Sequence, residues 1–201
     1  MGIAEFLTSE AYFRTMKTTQ LFWILCLIVS CRSDFDTAYQ KVEAYETLII
    51  PHIQFEKIPD SACNILMSFA KDYPKYKHSS DFVYVSTKLA ERQGFSLKTA
   101  EYSEFYLQQY KPTGKLLMEM MLVAAHNFEQ GGGYANALIY YKRLASEFSD
   151  KEIGKQAIVM IEMLNLGIKS PEEQMNYCIN RNKNSQLASD SAISRSDKTQ
   201  Q

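Results

Sequence analysis

The chain has 201 residues, of which 46% are hydrophobic and 22% are charged, and its formal net charge is −1. These values fit one globular domain with tails, and the balanced charge argues against nucleic-acid binding, which usually needs a basic excess. Glycine and proline are scarce, with 8 and 5 copies, so the composition favours helices over a turn-rich sheet.

The first feature along the chain is an uninterrupted apolar run, Leu21–Val29. A helix of this length rises only about 14 Å, less than half of the ~30 Å hydrocarbon core, so a spanning helix is the weaker interpretation. A short apolar run behind the positive Lys17 is typical of a secretory signal peptide, here residues 1–30. Met16 resembles a true start, which would make residues 1–15 an over-extended beginning.

A cysteine follows the apolar run. The segment Ile28-Val29-Ser30-Cys31 resembles the lipobox of bacterial lipoproteins. That resemblance implies that the Cys31 thiol takes a diacylglyceryl group, that the chain is cut before Cys31, and that the new amine is acylated. Several acyl chains, at ~0.8 kcal/mol per buried CH₂, would anchor the protein in a membrane. The alternative is a buried thiol that happens to end an apolar run.

The other two cysteines of the mature chain, Cys63 and Cys178, are far apart in sequence. An exported protein can oxidise such a pair to a disulfide. Isolated cysteines on helical faces are more often small core residues.

Apolar residues then recur at helical spacing. Residues 35–48 are predicted to form a capping helix that ends before Pro51, because proline lacks the backbone donor. Gly94 and the run Gly131–Gly133 each follow a later segment with apolar residues at helical spacing, and these glycines predict turns. Antiparallel helices are predicted near residues 61–73, 79–93, 97–110, 115–129, 135–148 and 152–166.

The C-terminal part of the chain contains one more signal for the start of a helix. Ser170-Pro171-Glu172-Glu173 is a capping box with proline at the first helical position, which predicts a last short helix. The polar residues 181–201 are predicted to be disordered. The expected organisation is a signal peptide over 1–30, a lipidated N-terminus with capping helix and linker over 31–59, a repeat domain over 60–180 and a disordered tail.

Three segments superimpose at offsets of 37 and 38 residues: Ala62–Pro74, Thr99–Lys111 and Ala137–Ser149. Within each segment the matching positions are separated by 7, 8 and 11 residues from the first, which places them on one helical stripe. The matching sets are Ala62, Thr99 and Ala137; Phe69, Tyr106 and Leu144; Ala70, Leu107 and Ala145; Tyr73, Tyr110 and Phe148.

The segment Tyr134–Asp150 resembles the second helix of a tetratricopeptide repeat, with a small residue at Ala137, aromatic residues at Tyr141 and Phe148, and an apolar residue at Leu144. The aromatic-proline endings are similar to those of lipid-anchored outer-membrane-assembly (BamD-like) and YbgF-like repeat proteins. The resemblance covers about residues 60–177. It implies an all-α, tetratricopeptide-like antiparallel array (an α-solenoid) of about two and a half to three repeats plus capping helices, which is short for these proteins.

No motif in the sequence indicates catalysis. The histidines, His52, His78 and His126, lie outside metal-binding spacings, and His126 is expected to be a partly buried helix residue. The glycine run lacks the Lys-Ser/Thr of a phosphate loop. We therefore predict no catalytic residue, no cofactor and no metal.

Thirteen tyrosines concentrate in the repeat helices. The candidate groove or packing aromatics are Tyr102, Tyr106, Tyr140 and Tyr141. Aromatic side chains that are not packed between helices would line a concave groove and anchor a partner. The sequence leaves both roles open for these four residues.

These features together predict a lipid-anchored periplasmic scaffold that binds a protein or peptide partner, in envelope or outer-membrane assembly. Arg32 is not the aspartate that retains some lipoproteins in the inner membrane, so the resemblance implies the periplasmic side of the outer membrane, with surface exposure left open. The alternative is a cell-envelope enzyme such as a cell-wall hydrolase with helical repeats, although the repeats take up nearly all of the ordered chain. A structural anchor without a dedicated ligand is a third possibility.

Overall fold

The computed structural model describes residues 34–197, with side chains described up to Lys183 and at Gln186. The predicted signal peptide and Cys31 lie outside these residues. Every regular element within the described range is helical, so the all-α prediction is confirmed. The elements are α1 (residues 34–40), α2 (Glu43–Ile49), a 3₁₀ turn (Phe55–Lys57), α3 (Ala62–Asp72), α4 (Ser79–Arg92), α5 (Ser96–Tyr110), α6 (Gly114–Gln130), α7 (Tyr134–Glu147), α8 (Glu152–Asn165) and α9 (Pro171–Asp197).

Helices α3 to α8 begin and end within one residue of the predicted ranges. The predicted capping helix over 35–48 is wrong in one respect, because it is divided at Lys41 and Val42. The amide of Val42 donates to Tyr39 O at 2.9 Å, a bond to the third preceding residue that tightens the chain into a turn. Both pieces carry apolar residues at helical spacing, so the apolar pattern does not reveal the break.

The chain divides into two compact units, one up to Ser86 and one from Thr87, with the boundary inside α4. The described part of the N-terminal unit has a core that includes Ile58, Leu66 and Met67. Aromatic rings add to it. Phe69 packs against Tyr73 with ring centres 5.1 Å apart and against Phe82 at 5.7 Å.

In the C-terminal unit the consecutive helices pack against each other: α5 on α6, α6 on α7, and α7 on α8. The turns between the paired helices are short. Gly132 has φ +79° between α6 and α7, and Gly167 has φ +77° after α8, a backbone conformation that strongly favours glycine. Short turns of this kind place successive helices side by side, as the sequence predicts.

Every residue is buried in two of the four aligned sets, whereas Tyr73, Tyr110 and Ala145 of the other two sets are half-buried. Ala62 in the N-terminal unit, and Thr99 and Ala137 in the C-terminal unit, are each 0% exposed. The large residues seven positions later are also buried: Phe69, Tyr106 and Leu144. A small side chain followed by a large one on the same face is the arrangement that two closely crossing helices require.

We expect Ala137→Leu to destabilise the protein because the larger side chain has no space at a fully buried position. Overpacking a well-packed contact typically costs ~1–3 kcal/mol. The matched control is Ala135→Leu, which lies in the same helix at an exposed position and should change stability little. Thermal unfolding followed by circular dichroism measures both. Equal melting temperatures for the two variants would mean that the alignment of the segments at Ala137 is wrong.

The predicted capping box at the start of α9 is confirmed. The Glu173 amide donates to Ser170 Oγ, and the Ser170 amide donates to Glu173 Oε2, each at 3.2 Å. These hydrogen bonds lower the pKa of the Glu173 carboxyl group. The helix then continues to Asp197, through most of the segment whose composition predicts disorder. The last helix is therefore longer than the short helix predicted, and hydrogen bonds from Gln174 and Tyr177 tie its first turns to neighbouring helices.

Candidate binding groove

A groove with a volume of about 560 Å³ lies in the C-terminal unit, between α6, α7, α8 and α9. Ligand sites in proteins typically have volumes of ~300–1,000 Å³ and a mostly apolar lining with a few polar groups. The apolar lining residues are Leu122, Tyr141, Ile153, Ala157, Val159, Met160 and Met163. The remaining lining residues are His126, Gln156, Gln174, Cys178, Arg181 and Asn182.

Helix α8 forms the longest wall of the groove. Ile153, Ala157 and Met160 lie at positions i, i+4 and i+7, so one helical face presents all three. Met163 continues that face and is 2% exposed. The unbranched, polarisable methionine side chains adapt to irregular partners, a property that suits a binding surface.

A hydrogen-bond network built on Glu129 fixes one side of the groove. Tyr141 Oη donates to Glu129 Oε2 at 2.7 Å, and Gln174 Nε2 donates to Glu129 Oε1 at 2.7 Å. Glu129 and Tyr141 are 8% and 2% exposed. Burial raises the pKa of the Tyr141 hydroxyl, and its hydrogen bond to Glu129 raises it further. The network joins α6, α7 and α9, so it holds three of the four helices around the groove.

A second carboxylate fastens α9 to α8. Glu162 Oε2 accepts a hydrogen bond from Tyr177 Oη at 3.1 Å and forms an ion pair with Arg181. Arg181 also lines the groove, and the carboxylate of Glu162 balances its charge. Because of this pair, the described lining offers an incoming molecule mainly neutral groups.

The four tyrosines singled out in the sequence are all in the interior. Tyr102, Tyr106, Tyr140 and Tyr141 are 7%, 6%, 5% and 2% exposed. Tyr140 Oη donates to Glu104 at 2.8 Å, and its ring stacks on Phe128 at a centre distance of 6.0 Å. Only Tyr141 of these four lines the groove. Burial of this degree assigns them to packing, and Tyr141 combines packing with a place in the groove wall.

The prediction that His126 is a partly buried helix residue is wrong, because its side chain is exposed. It lies on the groove side of α6, where its Nε2 is 2.8 Å from Gln130 Nε2. The buried face of α6 in this region is formed by the neighbouring Ala125 and Phe128 instead. Within the residues described, no three His, Cys, Asp or Glu side chains form a group that could hold a metal ion.

Cys63 and Cys178 are thiols rather than a disulfide in the described part of the chain. Cys63 is a core residue, 3% exposed, and its thiol donates to Ser86 O at 3.4 Å. Cys178 is half-buried and lines the groove. Of the two roles considered for isolated cysteines, the structure places Cys63 in the core.

A separate polar cluster lies in the N-terminal unit around Glu46. Its carboxylate accepts hydrogen bonds from Tyr39 Oη at 2.7 Å and from Tyr76 Oη at 3.0 Å. His78 Nε2 is 3.3 Å from Glu46 Oε1, and His78 Nδ1 is 3.3 Å from Asp81 Oδ2. Burial raises the pKa of Tyr76, with a further contribution from Glu46. The cluster connects α1, α2 and the residues before and at the start of α4.

Sequence reasoning did not single out Glu129, Glu162 or Gln174. Each is a polar residue in a helix, and its hydrogen-bond partner lies on another helix, 12 to 45 positions away in the sequence. A glutamate in a helix is ordinarily exposed, so only a contact with a distant residue distinguishes Glu129 from the others. The groove itself has no sequence signal either, because its apolar lining residues are common in helix cores and its polar ones are common on helix surfaces.

We expect the folded state to lose stability as the pH rises beyond about 10, the ordinary pKa of tyrosine. The pKa values of Tyr76, Tyr140 and Tyr141 are raised in the folded protein, first by burial and then by hydrogen bonds to glutamates. A group with a raised folded-state pKa stabilises the fold fully below its unfolded pKa, and this contribution disappears as the pH rises towards the folded-state pKa.

Melting temperatures between pH 8 and 12, together with tyrosinate absorbance, measure this effect. The melting temperature should be nearly constant to about pH 9 and then fall, since the unfolded tyrosines ionise near 10. Tyr141→Phe should make the alkaline decline shallower. Ionisation of all thirteen tyrosines near pH 10 without loss of helix would contradict the assignment of these hydroxyl groups to buried hydrogen bonds.

The structure defines the class of protein as all-α, with neighbouring helices packed in sequence order in the C-terminal unit. A comparison with protein-family models finds no match, and comparisons with curated proteins and with solved structures find none either. In residues 34–197, no helix is long and apolar enough to cross a membrane.

Proposed function

We propose that the protein is a lipid-anchored periplasmic scaffold whose helical array binds a protein or peptide partner, in envelope or outer-membrane assembly. The observation that carries the proposal is the groove, an apolar depression of about 560 Å³ with walls from α6, α7, α8 and α9. A network on the buried Glu129 carboxylate holds three of those four helices together. A pre-formed apolar site on rigid helices favours binding of a partner, since little ordering is needed when the partner arrives.

The repeat architecture is part of the proposal. Support comes from the packing of α5 to α8 in consecutive order and from the burial of the aligned residues Thr99 and Ala137. The last pair of helices, α8 and α9, has a short turn at Gly167 like the turns before it. We interpret the pairs α6–α7 and α8–α9 as tetratricopeptide-like units. In such arrays each unit contacts its neighbours, and the surface they form together binds partners.

The anchor is the second part of the proposal, and it concerns residues outside the described range. Its support is the segment Ile28-Val29-Ser30-Cys31 behind a short apolar run. We propose that Cys31 carries the lipid, that the chain begins there after processing, and that it sits on the periplasmic side of the outer membrane. A tether of this kind would keep the groove close to the membrane without a spanning helix.

Cys31→Ser tests the anchor. We expect the variant to remain unprocessed or to become soluble, and to lose incorporation of labelled palmitate, because serine provides no thiol for the thioether. Cys63→Ser is the matched control, since the 3%-exposed Cys63 thiol is in the core and should not be acylated. Equal palmitate labelling of the wild type and Cys31→Ser would exclude lipidation at Cys31.

Affinity capture tests the scaffold. The tagged full-length protein is purified from detergent-solubilised membranes beside an unrelated tagged lipoprotein, and the bound proteins are quantified by mass spectrometry. We expect one or more partners to copurify in stoichiometric amount with the wild type alone. A wild-type preparation without any such partner, combined with robust turnover of peptidoglycan or of an ester or peptide substrate, would favour the enzyme alternative.

A further inference from the structure

The side chain of His78 lies between two carboxylates in the N-terminal unit. Its Nε2 atom is 3.3 Å from Glu46 Oε1 on α2, and its Nδ1 atom is 3.3 Å from Asp81 Oδ2 in the first turn of α4. The side chains of His78 and Glu46 are 19% and 13% exposed, whereas that of Asp81 is 43% exposed. The imidazole ring therefore bridges α2 and α4, and each of its nitrogen atoms faces a carboxylate oxygen.

The protonated form of the ring is the form that suits both contacts. A protonated imidazole has an N–H donor on each nitrogen, whereas the neutral ring has one N–H donor and one bare acceptor nitrogen. In the neutral ring the bare nitrogen would therefore lie beside a carboxylate oxygen, and two acceptors repel each other. Loss of the proton from His78 to solvent would replace one of its two attractive contacts with a repulsive one.

The Glu46 carboxylate needs a positively charged neighbour, because a buried carboxylate is costly without hydrogen bonds and a compensating charge. Tyr39 and Tyr76 donate hydrogen bonds to it, but neither hydroxyl group brings a positive charge. Lys77 Nζ is 4.0 Å from Glu46 Oε1, and the lysine side chain is 70% exposed, so solvent weakens that ion pair. His78 is closer to the carboxylate and less exposed, so it is the stronger counter-charge when it is protonated.

Histidine is the side chain that ordinarily changes charge between about pH 5 and 8. Carboxylates are ordinarily ionised above pH ~5, and tyrosine and lysine change charge near pH ~10. The titratable groups around the ring are Glu46 on α2, Asp81 on α4, Tyr76 and Lys77 just before α4, and Tyr39 on α1, which reaches the cluster through Glu46. Burial raises the pKa of Tyr76 further, so this hydroxyl group stays neutral throughout that range.

We propose that His78 is a pH-responsive clasp, whose protonated ring holds α2 on the start of α4 and releases it as the pH rises from about 5.5 to about 8. The folded unit offers the charged ring two carboxylate contacts that the unfolded chain lacks. This contribution is therefore present at low pH and is lost as the pH rises. The ring of Phe35 packs on Tyr73 and Tyr76, at centre distances of 5.1 and 5.9 Å, and these apolar contacts do not depend on the proton. The proposal goes beyond the scaffold function and depends on neither the partner nor the anchor.

Hydrogen exchange in α2 tests the clasp on the full-length protein in detergent. Exchange of the α2 amides is followed by mass spectrometry at about pH 5.5 and about pH 8, and each rate is divided by the intrinsic rate of an unfolded peptide at the same pH. The protection of α2 in the wild type should be at least about threefold greater at the lower pH. His78→Gln retains a neutral N–H donor but cannot become charged, so its protection should be nearly equal at the two pH values.

Asp81→Asn is a second test that keeps the ring, and its partly exposed position allows the variant to fold. Because it removes one of the two negative charges, the pH dependence should be smaller than in the wild type. His52→Gln and Lys77→Gln are the matched controls, since both side chains are exposed and both variants should retain the wild-type pH dependence. Equal protection of α2 at both pH values in the wild type, or full wild-type pH dependence in His78→Gln or Asp81→Asn, would overturn the proposal.

Discussion

Gly154→Ala should destabilise the C-terminal unit strongly, although alanine in place of glycine usually stabilises a helix by ~0.8–1 kcal/mol. Gly154 is a buried residue in the first turn of α8. A methyl group at this position would fall on the carbonyl oxygen of Phe148 and lie 3.1 Å from the Cα atom of Ser149. Both contacts are with the backbone, which cannot rotate away, so α8 would have to move relative to the segment before it.

We expect a loss of about 2–3 kcal/mol in the free energy of unfolding, at the upper end of the usual range for overpacking. In a protein of this size the loss lowers the melting temperature by roughly 5–10 °C. Because α8 forms the longest wall of the groove, the shape of the groove should change together with stability. Thermal unfolding measures the loss of stability.

Gly131→Ala is the matched control for this substitution. A methyl group at Gly131 would meet the Cγ and Cδ2 atoms of Leu97, a residue that is 50% exposed, and would lie 3.2 Å from the carbonyl oxygen of Asn127. The Leu97 side chain can rotate into solvent, so we expect a change in stability within about 0.5–1 kcal/mol. Similar melting temperatures for Gly154→Ala and Gly131→Ala would contradict the close approach of α8 to the Phe148 carbonyl group.

Glu129→Ala is the second substitution with a large expected effect. It removes the acceptor for Tyr141 Oη and for Gln174 Nε2, and Tyr141 is 2% exposed. A buried donor without a partner costs ~1–3 kcal/mol, so the loss of both bonds should cost about 2–4 kcal/mol. Chemical denaturation measures the change. Hydrogen exchange should also increase in α9, because the bond between Gln174 and Glu129 ties α9 to α6.

Two variants serve as controls. Glu129→Gln retains a carbonyl oxygen of the same shape, so it can still accept one of the two bonds and should cost less than alanine. Glu101→Ala removes an exposed glutamate from α5 and should change stability by no more than about 0.5 kcal/mol. A loss in Glu129→Ala no greater than that in Glu101→Ala would mean that the Tyr141–Glu129–Gln174 network contributes little to the fold.

Much of the secondary structure could be predicted because it depends on local properties. Apolar residues at helical spacing located α3 to α8, and Ser170 with Glu173 located the start of α9. Capping involves residues three positions apart, so the sequence contains all of the information needed. The break at Lys41 and Val42 is different, since both sides of it are amphipathic and no glycine or proline marks it.

The candidate site could be predicted only in part. The sequence directed attention to Tyr141, and this residue does line the groove, but its hydroxyl group is held by a glutamate on another helix. Tyr102, Tyr106 and Tyr140 share the same sequence pattern and are buried away from the groove lining. Aromatic residues at helical spacing have the same pattern whether a neighbouring helix covers them or a groove exposes them.

The sequence by itself determined that the chain is helical and where the helices from α3 to α8 begin and end. These properties follow from side-chain periodicity, glycine turns and capping, which act over fewer than a dozen neighbouring residues. The tertiary structure alone decided that Glu129 and Glu162 hold α9 in place, that Gly154 must remain without a side chain, and that Met160 and Leu122 share one groove. Such features depend on contacts between residues far apart in the chain, and only the packing of one helix on another specifies them.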